Sequence, residues 1–163
     1  MKQLWAPWRL SYILSEKTKT CIFCHHPSGG QNQKSLLLHA GPSSLVMLNR
    51  YPYSNCHLLV APRKHTATLS RLDADEMLDL FATLRRSVEV LTAAVKPAGF
   101  NIGMNLGRVA GAGITRHLHC HVVPRWQGDT NFMPIVAEAM VLPEHLDRTY
   151  ERLAPIFQAH FTS

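Results

Sequence analysis

The segment His117-Leu118-His119-Cys120-His121-Val122-Val123 alternates imidazoles with apolar side chains. A period of two is the repeat of an extended strand, which sets His117, His119 and His121 in a row on one face and Leu118, Cys120 and Val122 on the core face. Imidazoles in a row offer two chemistries, metal ligation or nucleophilic attack helped by neighbouring donors. Same-face neighbours on a strand lie ~6.7 Å apart, so His117 and His121 span about 13 Å at Cα. That is a strained reach for two ligands that must each lie ~2.1 Å from one ion. One metal held by all three is disfavoured. A central imidazole that attacks phosphorus, with a neighbour donating to the phosphate oxygens, fits the row better.

Ahead of the row lies Asn105-Leu106-Gly107-Arg108-Val109-Ala110-Gly111-Ala112-Gly113. Its glycines would let main-chain N–H groups approach an anion, although a glycine-rich hairpin turn taken alone is more often only a turn. The cysteines are Cys21, Cys24, Cys56 and Cys120, too few for a disulfide scaffold. The close pair Cys21-x-x-Cys24 suits a metal or redox site in a reducing compartment, so a cytoplasmic location is expected. A thioredoxin-like role is disfavoured because Cys21 does not follow a strand in a βαβ unit.

These groups need elements to hold them. Leu36 to His39, Leu45 to Leu48 and His57 to Ala61 are short apolar runs separated by Gly41-Pro42 and Tyr51-Pro52-Tyr53-Ser54-Asn55, the pattern of an antiparallel meander. Pro27 to Gln33 reads as a loop. From Asp73 the period changes: Met77, Leu80, Phe81, Leu84, Val88, Leu91 and Val95 recur at helical spacing, with Asp73 and Glu76 placed as a capping box and Pro97 and Gly99 as the stop. Phe100 to Leu106 and Leu118 to Val123 predict two further strands. Leu146, Tyr150 and Leu153 predict a short C-terminal helix that Pro155 should end or kink. The expectation is an α+β chain with a mainly antiparallel five-stranded sheet, one long helix and a short C-terminal helix.

The chain has 163 residues, 46% of them hydrophobic and 17% charged, which suits one folded domain over residues 1–163 and excludes disorder as the main state. No apolar run approaches the ~18 residues of a membrane span, and Met1 to Leu14 mixes Trp, Pro and Arg where a signal peptide would be apolar. The net charge of +6 favours an anionic partner. No basic run is longer than Arg63-Lys64 or Arg85-Arg86, so a nucleotide-sized anion is expected in place of a long nucleic acid or a membrane.

The alternating segment resembles the motif of the histidine triad (HIT) family at every position from His117 to Val123. The resemblance extends to Leu4-Trp5-Ala6-Pro7-Trp8-Arg9, Cys21-Ile22-Phe23-Cys24, Asn49-Arg50-Tyr51-Pro52-Tyr53, Asn101 to Asn105, and Pro124-Arg125-Trp126 with Gly128-Asp129-Thr130-Asn131-Phe132. This combination is similar to the branch containing bacterial diadenosine tetraphosphate (Ap4A) phosphorylases. The resemblance implies a HIT-like fold with His119 as nucleophile, through a nucleotidyl-histidine intermediate, and His121 on the phosphate oxygens. It further implies Asn49 on the ribose, Asn105 with Gly111, Ala112 and Gly113 at the phosphates, and His57 bordering the site. Trp126, Arg125 and Arg108 are expected near the acceptor. Gly113 stands where relatives often carry Ser or Gln, and Cys56 where glycine usually precedes the histidine.

The same resemblance implies a structural zinc on Cys21, Cys24, His65 and His117, pinning a segment of about residues 1–30 to the histidine strand 117–125, with no catalytic metal required. It implies at least a homodimer joining two sheets. The expected reaction is cleavage of Ap4A by inorganic phosphate to ATP and ADP. The alternatives are hydrolysis of dinucleoside polyphosphates or nucleoside phosphoramidates, and a non-catalytic nucleotide-binding module.

Overall fold

The computed structural model describes residues 20–24, 33–129 and 144–162. The resemblances at Leu4 to Arg9 and Thr130 to Phe132, and most of the loop expected at Pro27 to Gln33, lie outside the described residues. The strands are β1 (Leu37–Ala40), β2 (Ser44–Leu48), β3 (Leu58–Pro62), β4 (Gly99–Met104) and β5 (Cys120–Arg125). The helices are α1 (Ala74–Val95) and α2 (Leu146–Thr162). The α+β class and the five-stranded sheet are as expected. The strand order is β1-β2-β3-β5-β4, with every neighbouring pair antiparallel.

The two faces of the sheet are covered differently. Leu38, Val46, Leu48, Leu58, Val60, Cys120 and Val122 pack against α1 through Leu80 and Leu91 and against α2 through Tyr150, Leu153 and Phe157. On the other face Leu37, Leu45, Met47, Leu59 and Ala61 form a smaller cluster closed by Phe23. Burial on both sides is why these strands read as apolar runs without alternation. His121 pairs with Leu59 on one side and Gly103 on the other. Residues directly opposite share a face, so His121 projects from the side away from the helices.

α1 begins as the sequence predicts. Asp73 Oδ1 accepts from the Glu76 N–H at 2.8 Å, and Glu76 Oε2 accepts from the Asp73 N–H at 3.0 Å. A cap of this kind is worth about 1 kcal/mol. Lys96 ends the helix at φ 46, just before Pro97.

Three boundaries differ from expectation. The C-terminal helix is not short: α2 runs 17 residues and continues through Pro155. Proline removes one helical hydrogen bond, but Tyr150, Leu153 and Phe157 at spacings of three and four lie buried on one stripe, and that burial holds the helix on both sides of it. β4 stops at Met104, short of Leu106. β5 starts at Cys120, so the histidine strand expected over 117–125 has His117, Leu118 and His119 ahead of its ladder. There the Leu118 N–H donates to the Thr66 carbonyl at 2.6 Å instead of to a neighbouring strand. Among the described residues no helix is long and apolar enough to cross a membrane.

Candidate functional site

The site grows from the loop between β2 and β3. The Tyr53 N–H donates to His57 Nδ1 at 3.0 Å, and Asn49 Nδ2 lies 3.2 Å from the same nitrogen. Asn49 Oδ1 accepts from the Tyr51 N–H at 3.0 Å, so the amide nitrogen faces His57. A backbone N–H can only donate, and His57 Nδ1 must therefore accept. The proton of the neutral ring sits on Nε2, which lies 3.0 Å from His121 Nδ1. His121 accepts there, which assigns its own proton to Nε2. His57 is fully buried. Desolvation, and then the charges of His121 and His119, lower its pKa to about 3, so this chain of imidazoles is neutral at its base. The Tyr53 ring lies 4.8 Å from His57 and stacks on His121 at 5.8 Å.

His119 is fixed from the other direction. Its Nδ1 lies 2.8 Å from the His117 carbonyl, which can only accept, so this nitrogen carries the proton and Nε2 carries the lone pair. Burial lowers its pKa, opposed by the carbonyl bond. The ring meets His121 edge-on at 5.0 Å and Phe23 at 5.2 Å. A neutral imidazole with a free lone pair beside an N–H donor is suited to attack phosphorus while a neighbour meets the oxygens.

The cysteine pair forms a second cluster. Among the described residues, Cys21, Cys24, His65 and His117 place their ligand atoms within 4.8 Å of one another. Cys21 Sγ lies 3.3 Å from His117 Nδ1, Cys24 Sγ 3.1 Å from His65 Nδ1, and the two Nδ1 atoms 3.2 Å apart. Tetrahedral zinc with Zn–S ~2.3 Å and Zn–N ~2.1 Å separates neighbouring ligand atoms by roughly 3.3–3.8 Å, so the set fits a closed zinc site. His117 Nε2 donates to the Pro62 carbonyl at 2.7 Å, which leaves Nδ1 bare for an ion. Desolvation and the adjacent Cys21 sulfur push the Cys24 thiol up to about 11. A cation between the sulfurs would remove that conflict by drawing off the proton.

His57 does more than border the site: it directs His121. Cys56 before it has φ 59, a conformation that glycine adopts freely and other residues at a cost of about 1 kcal/mol. Its sulfur is held by Arg152 at 3.6 Å, and Arg152 is paired with Glu144, so α2 anchors this turn. In the glycine turn, the Gly111 N–H donates to Arg108 O and the Ala112 N–H to Gly107 O, so these two donors close the turn itself. Gly111 has φ 89, and a Cβ there would lie 3.9 Å from Asn105 Nδ2.

Trp126 stands apart from the row of histidines. It follows the far end of β5, five residues or about 16 Å along the chain from His121, and its indole N–H donates to the Val95 carbonyl. Arg125 is likewise engaged, with Asp129 and Asn101. Tyr53 and Phe23 also line the site and are not expected there from the sequence, although both lie in segments that carry the family resemblance, Asn49 to Tyr53 and Cys21 to Cys24. An aromatic between two closely spaced cysteines is the signal for Phe23.

The HIT domain family model matches residues 30–128. The chain is 34% identical to an AP-4-A phosphorylase of Mycobacterium tuberculosis, over 94% of this chain and 83% of that protein. It is 29% identical to the asymmetrical bis(5'-nucleosyl)-tetraphosphatase of Schizosaccharomyces pombe, over 68% of this chain and 58% of that one. The crystal structure of a Zn-bound histidine triad family protein from Mycobacterium smegmatis superposes with a TM-score of 0.62 at 22% identity, covering 78% of this chain and 86% of the other.

Proposed function

The chain belongs to the HIT domain family, and from that membership we propose that it is a nucleotidyl transferase cleaving dinucleoside polyphosphates at His119, with inorganic phosphate as acceptor. The observation that carries this reading is the fixed tautomer of His119, with Nδ1–H on the His117 carbonyl and the Nε2 lone pair left for attack.

In this reaction Nε2 attacks the α-phosphorus of one adenylyl group of Ap4A. The P–N bond forms as the bond to the bridging oxygen of the β-phosphate breaks, and ATP leaves. The ring gains positive charge, and its Nδ1–H bond to the His117 carbonyl stabilises it. The His121 Nε2–H, aimed by His57, donates to the phosphoryl oxygens as charge builds on them. Phosphate then attacks the same phosphorus, the P–N bond breaks, ADP leaves and His119 returns to neutral. Asn49, Asn105 and the turn to Gly113 hold the ribose and the phosphates, with Arg108 at the loop tip. Cys21, Cys24, His65 and His117 would hold a structural zinc that ties the Cys21–Cys24 turn to the histidine segment. The active form is a homodimer in the cytoplasm.

Ap4A is incubated with the protein with and without phosphate, and the nucleotide products are separated. ATP and ADP formed only with phosphate support the reading. The likeness to a tetraphosphatase favours a second reading, hydrolysis, which gives ATP and AMP at the same rate whether or not phosphate is present.

A further inference from the structure

Phe23 stands between Cys21 and Cys24, in a turn closed by the Cys24 N–H on the Cys21 carbonyl at 3.1 Å. Its neighbours in sequence face solvent: Ile22 is 42% exposed and Cys24 is also exposed, whereas Phe23 is 1% exposed. The ring turns inward to close the small cluster of Leu37, Leu45, Met47, Leu59 and Ala61. At the same time it packs on two imidazoles, with ring centres 4.9 Å from His117 and 5.2 Å from His119. One ring thus touches both a ligand of the metal cluster and the nucleophile of the reaction proposed above.

We propose that Phe23 is a positioning residue for His119, a wall that the Cys21–Cys24 turn presses against the imidazole so that its Nδ1–H stays on the His117 carbonyl. The inference rests on the assignment of His119 as nucleophile. An imidazole with one hydrogen bond can still swing about its Cβ–Cγ bond, and packing on the ring removes that freedom. His121 meets His119 edge-on at 5.0 Å, and Phe23 lies against the same ring at 5.2 Å. Truncating Phe23 opens space beside the ring, and the lone pair on Nε2 loses its fixed direction. The pair of cysteines then has two tasks, holding the metal and presenting this side chain.

The test compares Phe23→Ala and Phe23→Leu with the wild type in steady-state kinetics on Ap4A, zinc content, thermal melting and the imidazole N–H signal of His119 in 15N-edited NMR. The expected result for Phe23→Ala is kcat lowered roughly ten- to a hundredfold with KM changed less than about twofold. Zinc stays at the wild-type level, and the hydrogen-bonded Nδ1–H signal is broadened or lost. Phe23→Leu, which keeps an apolar wall, recovers most of kcat and the signal. Unchanged kcat in folded, zinc-loaded Phe23→Ala overturns the inference. So does a loss of zinc in that variant whose replacement restores kcat, because Phe23 then serves the metal cluster alone. If Phe23→Ala does not fold, Phe23→Leu decides, and a kcat loss there without any change in the Nδ1–H signal counts against it. Failure of the nucleophile assignment is seen separately, as wild-type protein that turns over Ap4A without ever carrying an adenylyl group on His119.

Discussion

In the cysteine cluster two imidazoles meet by the same nitrogen: His65 Nδ1 and His117 Nδ1 lie 3.2 Å apart, with the sulfurs of Cys21 and Cys24 around them. Across the same segment His57 and His121 meet head to tail, Nε2 to Nδ1 at 3.0 Å, a donor against an acceptor. The separations are nearly equal and the chemistry differs. Nitrogens and sulfurs converging on one point can share a cation, whereas a head-to-tail pair satisfies itself and passes its remaining N–H outward. The difference originates in the outer partners. The Pro62 carbonyl takes the far proton of His117, while the Tyr53 N–H occupies the far lone pair of His57. In each case a single main-chain group sets which ring nitrogen of the histidine carries the proton.

The largest effect is expected at the link between the two regions. His119→Ala lowers kcat on Ap4A by about ten-thousandfold or more while nucleotide binding, measured by titration calorimetry, survives, because the bond-forming atom is lost and the other contacts remain. His57→Ala comes next. It removes the Nε2–H that meets His121 Nδ1 and lowers kcat by about a hundredfold, with zinc content unchanged. If His57→Ala lost zinc as well, the two regions would not be separable as described.

Cys24→Ser breaks the other region. Zinc is lost and the melting temperature falls by roughly 5–15 °C, yet the adenylyl-enzyme still forms, more slowly. Metal analysis, calorimetry and a single-turnover assay check the three parts of that outcome. A metal-depleted variant unable to form any adenylyl-enzyme would move the cluster from support into the reaction itself.

The smallest effect is a pH dependence of stability. An unfolded histidine takes a proton below ~6.5, while buried His57 does so only near 3. Between those values the unfolded chain binds the extra proton, so stability is full above ~6.5 and falls as the pH is lowered, by up to about 1.4 kcal/mol per pH unit from this group. His57→Gln flattens the decline of melting temperature between pH 7 and pH 5 relative to the wild type. Parallel slopes in the two proteins would remove His57 as the source.

Much of this was legible in the residues. Apolar runs between turn signals marked β1, β2 and β3, helical spacing marked α1, and the alternation from His117 to His121 put three imidazoles together. The metal set needed the resemblance, because nothing local ties His65 to Cys21. What sequence hid was set by groups it does not display. The role of His57 depends on a main-chain N–H at Tyr53, and the start of β5 on a carbonyl at Thr66. Pro155 argued for a stop because its local cost is visible, whereas the buried stripe that outweighs it appears only once Tyr150, Leu153 and Phe157 meet the sheet. Trp126 follows the motif closely in sequence and lies far from it in space, because a strand carries each residue ~3.3 Å further away.

His119 is expected to carry the nucleotide during turnover. Enzyme in excess over Ap4A, without phosphate, is quenched in alkali during a single turnover, digested and examined by mass spectrometry. One adenylyl group is expected on the peptide containing His119, located on that residue by fragmentation and discharged to ADP when phosphate is added before the quench. An adenylyl group on His121 instead, or ATP released in full with no adduct at any time point, would contradict it.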